Sequence, residues 1–272
     1  MRPSRLWPSL LIALIPAASR GASISASAPP SGSFLKFATT VERLQETMIA
    51  RAKLVDPDAV WTVDAHDRGR AVVVTDGRVW EKGCISVTRI EDGELSAVRA
   101  SAISARTGRG IAEGTRYSAC ALSFVLHARS PHVPTLRGDI RIFAVAGANE
   151  WYGGGIDLTP SYVVDEDCSH FHSTLAELCG EHAEMGTYAA MKQTCDDYFY
   201  LPAREEHRGV GGVFFDDLEA DWAPAFAEAL MVCALDESGP YMPIVNKRLP
   251  QPHTDAQKQW QLLRRGRCAL PP

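Results

Sequence analysis

The stretch Trp151-Tyr-Gly-Gly-Gly-Ile-Asp-Leu-Thr-Pro160 decides how this chain folds. Gly153, Gly154 and Gly155 remove three successive side chains, so a second backbone or a flat ligand can come close. Asp157 follows two residues later, and Trp151 and Tyr152 set aromatic faces just ahead of the glycines. Thr159-Pro160 ends the extended segment and turns the chain toward a helix. Aromatic wall, bare floor and carboxylate together suit a broad, flat, apolar molecule with nitrogen donors. The same residues also fit a tight glycine turn between a strand and a helix, and a short glycine motif alone leaves both readings open.

Upstream, the periodicity reads mostly as strand. Val41, Leu44, Met48 and Ile49 fall on one face of a helix opening near Phe37. Val72-Val-Val, Asp76-Gly77 and Val79-Trp80 predict a hairpin with a tight turn. Cys84 to Ile90, Tyr117 to His127 and Ile140 to Val145 are extended, with Gly138-Asp139 as turn chemistry between the last two. Strands that follow one another without long helices favour an antiparallel sheet.

Downstream, the period lengthens to that of helices. Asp165 and Thr187 are candidate caps. The first helix would turn Cys168, Phe171, Leu175, Leu178 and Cys179 inward, the second Tyr188, Met191, Cys195, Tyr198 and Phe199. Gly211 to Asp216 returns to strand. Ala223 to Leu235 is helical, with Pro224 in its first turn. Thr254-Asp-Ala-Gln257 is a capping box opening a helix that stops at Gly266. The sum is one α+β domain: a large antiparallel β-sheet flanked by helices on both faces.

With 272 residues, 46% of them hydrophobic, the chain can bury a sizeable core. A net charge of −5 gives no basic bias toward nucleic acid, so attraction to anions must come from local arginines. Seven scattered cysteines form no Cys-x-x-Cys pair and read as reduced thiols, neither a disulfide frame nor a zinc site. Residues 1–35 are basic, rich in Ser and Ala, and free of acids. The apolar run Leu10 to Ile15 is too short to span a bilayer. This segment reads as an organelle transit peptide, of plastid or mitochondrion, and a secretory signal also fits. Residues 36–272 form the domain.

Several long motifs resemble oxygen-dependent coproporphyrinogen III oxidases. They are Trp151 to Tyr162, Cys195-Asp-Asp-Tyr-Phe-Tyr200, His207-Arg-Gly-Val-Gly-Gly-Val-Phe-Phe-Asp-Asp-Leu218 and Trp260 to Arg267. The likeness runs from about Phe37 to Arg267. It implies a homodimer that converts two propionates of coproporphyrinogen III to vinyls, giving protoporphyrinogen IX. Dioxygen is the co-substrate and no organic cofactor takes part. By the same likeness, Asp157 and Arg141 are catalytic. Ser123, Asp139, Ile140, Arg141 and the glycines 153–155 bind substrate. A carboxylate can accept several pyrrole N–H groups and act as base for one, and propionates call for guanidinium partners.

The chain also departs from the family pattern. Of four candidate metal-ligand histidines, His127 and His172 match, while the proton-donor position holds Arg137 and the fourth holds Ala203. Half a ligand set predicts no tight metal. Asp139 stands where the family has asparagine. The family continues past Arg267 with a strand, a substrate-binding Gly-Ser-Arg segment and dimer-interface helices, whereas this sequence ends Cys268-Ala-Leu-Pro-Pro272, so an exposed sheet edge is expected. Two functions fit: a coproporphyrinogen oxidase, or a weakly active relative that binds tetrapyrrole or dimerises with an intact homologue.

Overall fold

The computed structural model describes residues 31–148, 150–182, 184 and 187–269, so residues 1–30 of the leader and 270–272 of the tail lie outside it. Helix α1 (Gly32–Val55) comes first. Ser31 caps it by accepting from the Phe34 N–H. Phe34, Phe37, Val41, Leu44, Met48 and Ala52 recur at helical spacing and are buried. The helix thus begins ahead of Phe37, and Phe34 belongs to the core. It ends at Asp56, whose carboxylate accepts the backbone N–H groups of Arg78, Val79 and Trp80 at 3.1, 2.7 and 2.8 Å. One buried acid therefore ties the helix end to the first long hairpin.

Strands β1 (Val60–His66), β2 (Gly69–Thr75), β3 (Trp80–Glu94), β4 (Arg116–Ala128), β5 (Thr135–Val145) and β6 (Trp151–Thr159) form an antiparallel meander. A two-residue ribbon of β7 (Tyr200–Leu201) and β8 (Glu206–His207) stands apart. Strand β9 (Gly211–Leu218) returns to pair with β6, so among the described residues β1 and β9 are the edges of a seven-stranded sheet. Asp76 takes a left-handed φ of 59° in the predicted β2–β3 turn. Gly138-Asp139 is no turn: both residues lie inside β5. Gly138 is small there because a Cβ would meet the Phe124 ring at 2.6 Å. The glycine run likewise lies within a strand, where every residue of β6 is buried.

Alternation gives the sheet two different faces. One carries Ile85, Leu122, Phe124, Leu126, Leu136, Ile140, Ile156 and Val213. It packs against α1, α3 (Asp165–His182), α5 (Ala223–Ala234) and α6 (Met242–Arg248). Each large side chain buried there contributes about 1.5–3 kcal/mol over exposure. Asp165 and Thr187 are the first helical residues of α3 and α4 (Thr187–Tyr198), not their caps.

Among the described residues the other face is covered at its ends. Leu95 together with Ala100 and Ile103 of α2 (Ala97–Thr107) packs on Tyr117, Val145 and Trp151. At the β9 edge, Tyr198 stacks on Phe214 with ring centroids 4.4 Å apart. Helix α7 (Asp255–Arg265) opens on the predicted capping box and fixes the β4–β5 turn through Gln261, which donates to the Ala128 and Ser130 carbonyls. Between these clusters the middle of the sheet is open, and Ser123 there is exposed. Among the described residues no helix is long and apolar enough to cross a membrane.

Candidate active site

Cross-strand register builds the open face row by row. Ser86 pairs with Ser123, Ser123 with Asp139, Asp139 with Gly155, and Gly155 with Phe214. In the next row on one side, Ala121 pairs with Arg141 and Arg141 with Gly153. On the other side, Val125 pairs with Arg137 and Arg137 with Asp157. Ser123, Asp139, Arg141, Gly153, Gly155 and Asp157 are therefore brought to one surface. Ile140 and Gly154 are not. They alternate to the helix-packed face, where Ile140 is fully buried in the core, and their side-chain positions cannot meet a ligand on the open side.

The bare glycine floor is partly occupied by the protein itself. A Cβ on Gly153 would meet Asp216 Oδ1 at 2.6 Å and Arg141 Nε at 2.7 Å, so its absence lets the Arg141 guanidinium lie across β6. Arg141 reaches Asp139 on its own strand and Asp216 on β9, the latter at 3.2 Å. Burial lowers its pKa, but the two carboxylates outweigh that and hold it above the ordinary arginine value. Gly155 does the same for Phe214, whose ring would lie 3.2 Å from an added Cβ.

A bulge in the β6–β9 pairing, between Tyr152 and Gly154, falls beside Asp216 and Asp217. Asp217 has a left-handed φ of 58° and pairs with Arg106, which lies 4.0 Å over the Trp151 ring. Burial, helped by the adjacent Asp216 charge and opposed by Arg106 and Arg141, pushes the Asp217 carboxyl up to about 6. Sequence reasoning assigned neither acid a role.

Asp157 is 4% exposed. Its Oδ1 accepts from Arg208 Nη2 at 2.6 Å, and Thr159 Oγ1 lies 3.4 Å from Oδ2. Arg208 is itself buried and lies 3.6 Å over the Phe199 ring, while its Nε is buried without a partner. Arg208 and Phe199 therefore roof the carboxylate. The motif His207-Arg-Gly contained Arg208, but nothing local in it signalled a pairing with β6. This surface joins the glycine-lined strand to Phe199, Arg208 and the Asp216-Asp217 pair of two other motifs, and the coproporphyrinogen III oxidase family matches residues 36–269. The chain belongs to the coproporphyrinogen III oxidase family.

Its relatives include the mitochondrial oxygen-dependent coproporphyrinogen-III oxidase of Mus musculus, 39% identical over 227 residues, which covers 78% of this chain and 50% of the mouse protein. The Drosophila melanogaster oxygen-dependent coproporphyrinogen-III oxidase is 39% identical over 213 residues, 76% of this chain and 54% of the fly protein. The mitochondrial human protein is 38% identical over 224 residues, 78% of this chain and 49% of its own length. The chain spans about half the length of these curated relatives.

Within this family member the two retained histidines are separately engaged. His127 Nδ1 lies 3.0 Å from Thr135 Oγ1. Burial, then the charges of Arg265 and Lys82, push its pKa down to about 4. His172 Nε2 donates to the Val210 carbonyl and its Nδ1 accepts from the Tyr188 hydroxyl, both at 3.0 Å. Burial, then Lys192, lowers its pKa. His170 points elsewhere, to the Gly239 carbonyl. Among the described residues no three His, Cys, Asp or Glu side chains converge on a metal position. Ala203 lies exposed on a short 3-10 turn, Pro202–Arg204. Six cysteines are free thiols, and the Cys268 side chain lies outside the description.

Proposed function

We propose that this chain is an oxygen-dependent coproporphyrinogen III oxidase. Each of two propionates loses carbon dioxide and two hydrogens and becomes a vinyl. The two electrons pass to dioxygen, so each decarboxylation yields one hydrogen peroxide, and the product is protoporphyrinogen IX. The observation that carries the reading is the gathering of Ser123, Asp139, Arg141, Asp157, Gly153 and Gly155 on one sheet face.

In this reading Asp157 accepts pyrrole N–H groups and removes one proton, raising electron density in the ring that dioxygen attacks. Its Oδ1 is held by Arg208, so the pyrrole N–H groups go to Oδ2, where the Thr159 hydroxyl now lies 3.4 Å away. Since Arg208 and Phe199 cover the carboxylate, that cover must shift when substrate lands. Arg141, Asp139 and Ser123 orient the macrocycle edge. No metal or organic cofactor takes part. The mitochondrial relatives and the basic leader support an organelle as the site of action, and the homodimer is carried over from the family resemblance.

A second reading is tetrapyrrole binding with little turnover. Two observations favour it: Asp157 is roofed by Arg208, and position 137 offers a guanidinium, a poor proton donor near neutral pH. Anaerobically prepared coproporphyrinogen III, exposed to air with protoporphyrin fluorescence as readout, separates the two. Turnover by the wild-type chain that drops a hundredfold or more in Asp157→Asn, with binding kept at a temperature where both proteins are folded, supports the first. Binding without turnover by the wild type supports the second. Neither binding nor turnover overturns both.

A further inference from the structure

We propose that Arg137 binds a substrate carboxylate and so helps fix the macrocycle over the glycine floor. The inference rests on the function just proposed. Most arginines around the open face already have a carboxylate partner. Arg141 is held by Asp139 and Asp216. Arg208 is held by Asp157, and Arg106 by Asp217. Around the same end of the sheet, Lys258 and Arg265 share Glu81, and Arg264 and Arg267 share Glu206.

Arg137 differs. Among the described residues no carboxylate lies within ion-pair distance of it. Its register partner Asp157 is the nearest acid along the ladder, and that carboxylate is taken by Arg208. Arg137 is half-buried, with Val125 beside it on β4 and its guanidinium 5.9 Å from the Phe199 ring centroid. An arginine fork so placed is partly desolvated, aromatic-backed and short of a counter-charge. A carboxylate supplies that charge and fits the fork with two parallel hydrogen bonds.

Arg141 is the weaker attractor despite its place in the motif. With Asp139 and Asp216 it forms a triad of net charge −1, so an incoming propionate would have to displace an aspartate or share its field. The two arginines are four residues apart on one strand, about 13 Å at the backbone. They can therefore serve different parts of one macrocycle. Sequence comparison marked Arg137 as the loss of a proton donor. The ion pairs around it give the position another chemistry, anion capture.

The test uses coproporphyrin III, the air-stable oxidised tetracarboxylate, and its tetramethyl ester, titrated by fluorescence against wild type, Arg137→Gln and Arg137→Lys. The glutamine variant should bind the tetracarboxylate about tenfold more weakly or worse, as expected for a lost charge-assisted hydrogen bond. The lysine variant should fall between, since it keeps the charge but not the fork. The ester should bind all three alike. Melting temperatures should agree closely, because no ion pair is lost; if the glutamine variant melts early, the lysine variant carries the comparison. Wild-type binding that Arg137→Gln leaves unchanged overturns this inference and leaves the proposed function standing. Equal weakening of acid and ester overturns it too, by showing a role in shape. Failure of the wild type to bind the tetracarboxylate overturns this inference, while the proposed function stands or falls on the coproporphyrinogen assay.

Discussion

Arg208 sets its Nη2 2.6 Å from Asp157 Oδ1, and both side chains are almost wholly buried. A pair so desolvated is costly to break on one side only. Arg208→Met should leave an uncompensated carboxylate and lose about 3–5 kcal/mol of unfolding free energy. Asp157→Leu alone should cost a similar amount. The double variant should cost clearly less than the sum, because neither orphan charge remains. Urea unfolding of the four proteins closes the cycle. Additive losses would mean that the two side chains do not stabilise each other.

Gly153 should respond to alanine differently from its two neighbours in the β6 run. A Cβ at Gly154 would stand 2.5 Å from the Asp139 carbonyl oxygen, and at Gly155 2.4 Å from that of Val213. Backbone cannot yield, so both variants should lose roughly 1–3 kcal/mol or more. At Gly153 the obstacles are the ends of Asp216 and Arg141, which can swing away. Gly153→Ala should therefore keep most of its stability while losing the Arg141–Asp216 contact and, on the function proposed above, part of the turnover. Equal melting losses across the three would contradict this.

Two groups should tilt the pH dependence of stability in opposite senses. Asp217 titrates at about 6 against an ordinary value of 3.8, so between these the folded state binds the proton more tightly and stability falls as pH rises. His127 titrates at about 4 against 6.5, so there the unfolded state holds the proton and stability rises with pH. Asp217→Asn should make the slope of unfolding free energy between about pH 4 and 6 more positive, and His127→Gln more negative. Denaturant titrations at a series of pH values read both. Unchanged slopes would mean that neither group is perturbed.

Much of this architecture was legible from local chemistry. Asp76-Gly77 announced a hairpin and Thr254-Asp-Ala-Gln257 a capped helix, because those signals act over a few residues. The site's gathering on one face follows from the period of two in β4, β5 and β6. The same period, applied strictly, removes Ile140 and Gly154 from it. Strand β1 escaped notice because it is nearly all exposed and lacks alternation. Helix α2 has few large apolar residues, and Gly138-Asp139 looked like a turn only until Phe124 filled the glycine's space. The Asp157–Arg208 pair was invisible for a different reason. It depends on β9 lying beside β6, and no short-range signal encodes that.

That placement governs the order in which the molecule comes together. Strands β1 to β6 are each laid beside the one just before, so the sheet can grow hairpin by hairpin as the chain leaves the ribosome. Arg208, by contrast, follows Asp157 by 51 residues, with two helices made in between. Closing that loop carries a larger entropy penalty than the meander meets, even where α2 separates β3 from β4. We expect amide protection during refolding to appear in β3, β4 and β5 before β9, as pulsed hydrogen exchange would show; simultaneous protection would contradict it. Until β9 docks, Asp157 stays wet, Arg141 lacks Asp216 and no roof exists, so the last strand to arrive turns an exposed sheet into a working surface.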